Sequence, residues 1–305
     1  MSSISVEATL ARGLRHLGRP LRRLRGVPFI VPYLPFLIGL GIVPMIMALE
    51  LAVTNFDGSW SGLGNFVATF NDYRFMPAAV DVLLYTGIWM AALVVLVVGL
   101  ALTLHARANK VSAAFRFLFY LPGALAGAAS VLVWLFMLSP DVSPWGFILR
   151  GVFGLHLFSE VPLPQNLPFI FATIAFWTGA GGWIVVMYGA LNTIPHEIEE
   201  AAKLDGAGPI LIALRLKLPM IQKWIGYMLI LTFATGTQVF VEPWLMNIAT
   251  LQGINPDWSM NQYAYQLAFV YYHFNAAAAV SVDLLLVGLM AAAVIITRTQ
   301  LFSAD

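Results

Sequence analysis

Long apolar runs alternate along the chain with short polar stretches, and within each run the apolar residues continue around every side of a helix rather than marking one stripe. A helix that is apolar all round belongs in lipid or deep in a large core. Crossing a bilayer takes about 20 such residues. Six runs are long enough: residues 28–49, 79–104, 113–138, 168–191, 224–248 and 276–297. The two-residue alternation of a membrane β-barrel is absent. The pattern predicts an all-α membrane protein with six transmembrane helices.

Composition agrees. Of 305 residues, 60% are hydrophobic and 10% charged, and the mean hydropathy is +0.83. A soluble domain carries about 25% charged residues, so an ordinary soluble enzyme, a disordered chain and a nucleic-acid binder are excluded. The chain has no cysteine, which removes disulfides, thiolate chemistry and cysteine metal sites. His16, His105, His156, His196 and His273 show no ligand spacing with a carboxylate, and no nucleophile stands with a base. Neither a metal site nor a catalytic residue is expected.

The placement of the cations says more than their number. With the N-terminus inside, inner segments hold fourteen of the sixteen Lys and Arg, and outer loops hold only Arg74 and Arg150. The positive-inside bias then puts both termini in the cytoplasm. The expected divisions are a basic cytoplasmic segment at 1–26, a six-helix transmembrane domain at 27–299 and a cytoplasmic tail at 300–305. In the first, Leu10, Leu14, Leu17, Leu21 and Leu24 recur at helical spacing among arginines. That is the pattern of a basic helix on the anionic inner leaflet, or more simply of a topology anchor. Pro20 would kink such a helix. The hydrophobic stretch is too long for a cleavable signal and lacks a small-residue cleavage site.

The loop at 193–222 is the polar centre of the chain. Pro195 suits a first helical position. Glu197, Glu199 and Glu200 fall in the first turns, where carboxylates favour the helix dipole. Gly206 suits the left-handed turn that closes a helix. Pro209 can start a second helix, which Leu218-Pro219 ends. Two short helices meeting at a glycine make either a knuckle for a partner's groove or a plain linker.

Glu200-Ala201-Ala202, then Gly206 after three residues, then Leu216-Lys217-Leu218-Pro219 after nine more, resemble the EAA loop of binding-protein-dependent ABC importer permeases. Asp205-Gly206-Ala207 matches that family's frequent D-G-A. Ala213 stands where Phe is common, and Lys223 where a second Pro is common. Pro32-Tyr33-Leu34, Val43-Pro44, Gly62-Leu63-Gly64-Asn65-Phe66, Leu121-Pro122, Trp134, Ser139-Pro140-Asp141, Gln238-Val239-Phe240 and the run 275–281 are similar to sugar-type permeases. The first-span pattern is nearer the first-subunit kind related to maltose and glycerol-phosphate permeases. The usual Gly-Gly-Pro after the fifth span is missing, and Ala249-Thr250-Leu251-Gln252-Gly253 stands there.

The resemblance implies the type I importer fold in the cytoplasmic membrane. It also implies a second permease subunit in a heterodimer, two cytosolic ATPase subunits, an extracytoplasmic solute-binding protein, contact with membrane lipid and none with nucleic acid. The ATPase-coupling residues would be Glu200, Ala201, Ala202, Asp205, Gly206, Ala207, Leu218 and Pro219. A P-loop needs Gly-Lys followed by Ser or Thr, and none of Lys110, Lys203, Lys217 and Lys223 follows a glycine. No cofactor is therefore expected in this chain, and ATP with Mg2+ belongs to the partner ATPase.

Acids inside spans are costly and face protein or water. Asp283 lies well inside the sixth run, Glu242 in the outer half of the fifth and Asp81 near the outer end of the second. Gln238, Phe240, Trp244 and Asn247 stand near Glu242. Carboxylates and amides pair with hydroxyls, while aromatic rings take the C–H face of a sugar. Gln238, Phe240, Glu242, Trp244, Asn247 and Asp283 are thus the candidates for a substrate pathway, with helix–helix hydrogen bonding as the plainer explanation. Gly179, Gly181 and Gly182 suit close helix packing or a flexible gate, and Pro122 should kink the third span. The competing reading is an ion-coupled secondary transporter that uses Asp283 and Glu242. Such folds often show inverted repeats, and none is visible.

Overall fold

A computed structural model describes residues 31–106, 109–125, 127–251 and 253–299. The basic segment 1–26, residues 28–30 of the first expected span, Arg107, Gln252 and the tail 300–305 lie outside the described residues. Contacts divide the chain into two compact units, residues 1–51 and 52–305.

The first unit holds most of helix α1 (Leu34–Val53). Its large apolar side chains are exposed along the whole length, as in a helix that meets lipid. From Leu37 to Ile42 the turns widen to the i→i+5 pattern, just before Pro44. A proline inside a helix has no N–H to give and crowds the preceding turn; the widened turn absorbs that defect.

The second unit runs through α2 (Gly64–Phe70), α3 (Phe75–Ala106), α4 (Lys110–Ala124), α5 (Ala128–Met137), α6 (Gly146–Gly151) and α7 (Leu167–Leu191). It continues through α8 (His196–Leu204), α9 (209–220), α10 (Gln222–Gly236), α11 (Val241–Ala249), α12 (260–270) and α13 (Phe274–Thr299). Among the described residues there is no β-strand, only one isolated bridge between Thr54 and Trp60. The helices α1, α3, α7 and α13 are long and apolar enough to cross a membrane; with the bent pairs α4–α5 and α10–α11 each taken as one span, the number reaches six.

Two expected spans are not continuous. The third breaks between α4 and α5 with a bend of 105°. Leu121–Ala124 tightens into a 3-10 turn with Pro122 as its second residue, and Gly127 takes φ +63°. Pro122 thus ends a helix rather than bending one, because the missing N–H is followed within five residues by a glycine able to reverse the chain. The fifth bends by 44° between α10 and α11, across Thr237–Phe240.

Helix α7 is the centre of the unit. Phe171, Ile174, Ile184, Met187 and Leu191 are fully buried along it, and it packs against α3, α4, α5 and α10. Gly181 rests on the backbone of Phe119 and Tyr120 with no room for a Cβ, whereas Gly182 faces open space. Close packing, the plainer reading of the glycine trio, describes Gly181. Helix α13 packs against α2, α10 and α12. The Asn65 and Asn275 side chains, 210 positions apart in the chain, both donate to the Thr54 carbonyl at 2.8 Å.

Candidate functional site

The polar loop folds as two short helices joined at Gly206. Pro195 takes the N-cap of α8 rather than its first helical position, with Glu197 and Glu199 in the first turn. At the other end the Gly206 N–H donates to the Lys203 carbonyl at 3.0 Å and the Ala207 N–H to the Ala202 carbonyl at 2.9 Å. Gly206 sits at φ +84°. This is the Schellman closure, in which a left-handed residue satisfies the last carbonyls of the helix. Leu218-Pro219 does not end α9: the helical run continues to Met220 and breaks at Ile221. Widened turns over Ile212–Lys217 precede Pro219, the same accommodation seen before Pro44.

A clamp that the sequence did not reveal holds the two helices together. Lys217 of α9, 3% exposed, places Nζ 2.8 Å from Glu199 Oε2 on α8 and 3.1 Å from Nδ1 of His105. Lys203 reaches the other Glu199 oxygen at 3.3 Å. The hydrogen bond from Lys217, with help from Lys203, holds the Glu199 carboxyl below the usual range against the opposing effect of burial. His105, in the last turn of α3, meets the Tyr188 ring of α7 edge-on at 5.5 Å, and the Arg116 guanidinium of α4 lies 3.8 Å from that ring's centre. The loop is therefore tied through Lys217 to the end of α3, where His105 in turn meets Tyr188 of α7. The separation of eighteen positions between Glu199 and Lys217 matches no local pairing rule, so only the fold brings them together.

Of the expected coupling residues, Glu200, Ala201, Asp205, Gly206 and Pro219 are exposed, Ala202 and Ala207 are half-buried, and Leu218 packs against the main core. Leu204 is 90% and Ile210 75% exposed beside them. A shallow groove of about 530 Å³ runs past Pro209, Ile210, Leu211, Leu214 and Arg215.

The two helix breaks share one cavity of about 610 Å³. Gly123, Gly127 and Ser130 line it from the α4–α5 break, and Gln238, Val239, Phe240 and Glu242 from the α10–α11 break. Tyr85 and Trp89 of α3, Thr178, Gly179 and Trp183 of α7, and Thr232 of α10 complete much of the wall. Interrupted helix at membrane depth is tolerated where it lines such a space. Gln238, Phe240 and Glu242 thus come together as expected. Trp244 and Asn247 instead line a second cavity of about 670 Å³ with Gln262 and Gln266. The Phe240 and Trp244 rings, one in each wall, stack at 5.5 Å, and Tyr265 meets Trp244 edge-on at 5.2 Å. Asp283 is half-buried on α13 and belongs to neither lining. Sequence reasoning passed over Trp89 and Thr232, since a lone tryptophan or threonine in an apolar run reads as packing. Their Nε1 and Oγ1 atoms are buried without a hydrogen-bond partner.

At the opposite end of α3, Arg74 forks onto Asp72, with Nε 3.0 Å from one carboxylate oxygen and a terminal nitrogen 2.7 Å from the other. Its guanidinium lies over the rings of Tyr263 and Tyr271 and 4.0 Å from Asp257. Arg74 lowers the Asp72 pKa to about 2. The cluster staples the start of α3 to α12.

No protein-family model matches the chain. The sn-glycerol-3-phosphate transport system permease protein UgpA of Salmonella choleraesuis is 31% identical over 215 residues, which cover 67% of this chain and 70% of that one. The chain belongs to the binding-protein-dependent ABC importer permeases. The probable ABC transporter permease protein YesP of Bacillus subtilis is 26% identical over 284 residues, 88% of each chain. The maltose/maltodextrin transport system permease protein MalF of Klebsiella aerogenes is also 26% identical, over 205 residues, and there the match spans 39% of the relative's length. A solved bacterial ABC transporter involved in the import of the acidic polysaccharide alginate shares the fold, with TM-score 0.75 at 19% identity over 95% of this chain and 100% of that one. The permease is thus an integral membrane transport component and not a catalyst, and the ion-coupled reading is not favoured.

Proposed function

We propose that this permease forms half of the translocation pathway for a carbohydrate or related polyol in the cytoplasmic membrane. It crosses six times, α4–α5 and α10–α11 each counting as one span, with both termini inside. A second permease subunit completes a heterodimer. Two cytosolic ATPase subunits bind ATP and Mg2+, and an extracytoplasmic binding protein delivers the solute.

The clamped loop is the observation that carries this reading. Leu204 and Ile210 are bare apolar side chains on a polar loop, a surface that favours cover by a partner. Glu200, Ala201, Ala202, Asp205, Gly206 and Ala207 shape that surface, while Leu218 and Pro219 root it in the membrane helices. A stiff element transmits displacement. The Gly206 closure and the Glu199–Lys217 pair supply that stiffness, and His105 passes the motion to α3. Maltose/maltodextrin, named for one relative, supports the solute class. Gln238, Phe240 and Glu242 offer amide, ring and carboxylate to such a solute in the first cavity. Trp244 and Asn247 do so in the second, and Asp283 stands apart.

The test is reconstitution in proteoliposomes with the companion permease, ATPases and binding protein, with a cysteine at Leu204 as a crosslinking probe. Uptake should follow ATP and not a proton gradient, and the probe should link to the ATPase. Uptake by the isolated chain, or labelling of Leu204→Cys from the outer side, overturns the proposal.

A further inference from the structure

The cavity walls also carry a charge signature. No Lys or Arg occurs from Phe75 to Ala106, from Phe117 to Leu149, from Gly151 to Ala202, or from Trp224 to Thr297. Every helix that contributes to the first cavity is therefore free of cations over the part that lines it. Among the described lining residues Glu242 is the one charged side chain, set among hydroxyls, the Gln238 amide and aromatic rings.

An anion moved out of water needs a cation or several strong donors to replace its hydration, and this wall holds no cation. A carboxylate or phosphate close to Glu242 would meet a like charge instead. A neutral polyol fits each group in turn. Its hydroxyls donate to the Glu242 carboxylate and the Gln238 oxygen, and accept from the Gln238 amide N–H. Its C–H face can rest on Phe240, whose ring is already held by stacking on Trp244. An amine-bearing sugar gains the Glu242 charge as well.

We infer that the permease admits uncharged or amine-bearing saccharides and rejects uronic acids and phosphorylated polyols, and that Glu242 sets this sign. The inference rests on the transport function proposed above. It separates this permease from two of its relations, one named for sn-glycerol-3-phosphate and one for an acidic polysaccharide.

The complete importer in proteoliposomes is offered a mixed pool of neutral oligosaccharides, glucosamine, glucuronate and glycerol 3-phosphate, and mass spectrometry reads what accumulates inside. ATP-dependent accumulation confined to neutral and amine-bearing members is expected. With the accumulated sugar at low concentration, Glu242→Gln should slow uptake about tenfold, the loss of a hydrogen bond to a charged acceptor. The binding protein's own affinity for that sugar, measured separately, stays unchanged. ATP-dependent entry of glucuronate or glycerol 3-phosphate overturns the inference and leaves the permease reading standing, as does a full uptake rate through Glu242→Gln. A pool from which no neutral or amine-bearing member enters also overturns it. Entry indifferent to ATP overturns the permease reading instead.

Discussion

The polar loop and the first cavity treat buried polarity in opposite ways. In the loop, Lys217 is under cover and has two partners within 3.1 Å, Glu199 and His105. In the cavity, Trp89 Nε1 and Thr232 Oγ1 are buried with none, and no cation faces Glu242. A paired charge resists displacement, because separating it exposes both partners to a poor environment. An unpaired buried donor is a cost that the fold carries.

The largest effect on this contrast should come from the loop's turn at Gly206. A Cβ at Gly206 meets nothing within 4 Å, so sterics with neighbours do not forbid a side chain there; φ +84° does. A β-branched residue is strongly disfavoured at that angle. Gly206→Val should insert and accumulate normally yet abolish ATP-driven uptake, as read by membrane abundance beside transport rate. Normal uptake by a Gly206→Val permease that binds its ATPase as usual would defeat the assignment of the loop.

Next comes the clamp. Glu199→Ala strands Lys217 in the interior and should lower unfolding stability in detergent by about 2 kcal/mol. Adding Lys217→Met should restore at least half of that, since removing both partners is far cheaper than removing one. A double mutant no better than the single one would show that the pair does not hold the loop.

The clamp also has a pH signature. Pairing lowers the Glu199 pKa in the folded loop, so its contribution is complete above the ordinary glutamate value of about 4.3 and is lost as the pH falls through the depressed folded value. Thermal unfolding of the permease should therefore be level between pH 7 and about 5 in this respect. Below about 4.3 the wild-type protein should lose more stability than Glu199→Gln.

The smallest structural effect belongs to the cavity. Thr232→Val removes a hydroxyl that bonds to nothing, so unfolding stability in detergent should change by less than about 0.5 kcal/mol. Were Thr232→Val to destabilise as much as Glu199→Ala, the contrast between the paired loop and the unpaired cavity wall would not hold.

The membrane class, the approximate spans and the glycine turn at 206 were legible because each depends on local order in the chain. Apolar runs announce spans, and a glycine after a polar amphipathic segment announces a helix end. The break at Pro122 was legible in part, since the proline was visible but not the depth of the interruption, which Gly127 completes. Pro219 misled, because nothing in a short motif shows that the turns before it widen and carry the helix on to Met220. The expected pathway residues divided between two cavities because sequence neighbours on a bent helix do not share a wall: Phe240 and Glu242 line one, Trp244 and Asn247 the other.

By itself the amino-acid order determined that this chain is oily, helical and poor in cations along its apolar runs, and that a capped polar elbow interrupts it. Those properties follow from transfer free energies and backbone preferences summed over neighbouring residues. Only the tertiary structure decided that Lys217 reaches back to Glu199 and across to His105, that Asn65 and Asn275 share the Thr54 carbonyl, and that two helix breaks face one space. Those pairings join residues from 18 to 210 positions apart, and no local preference acts over that distance; packing around α7 does.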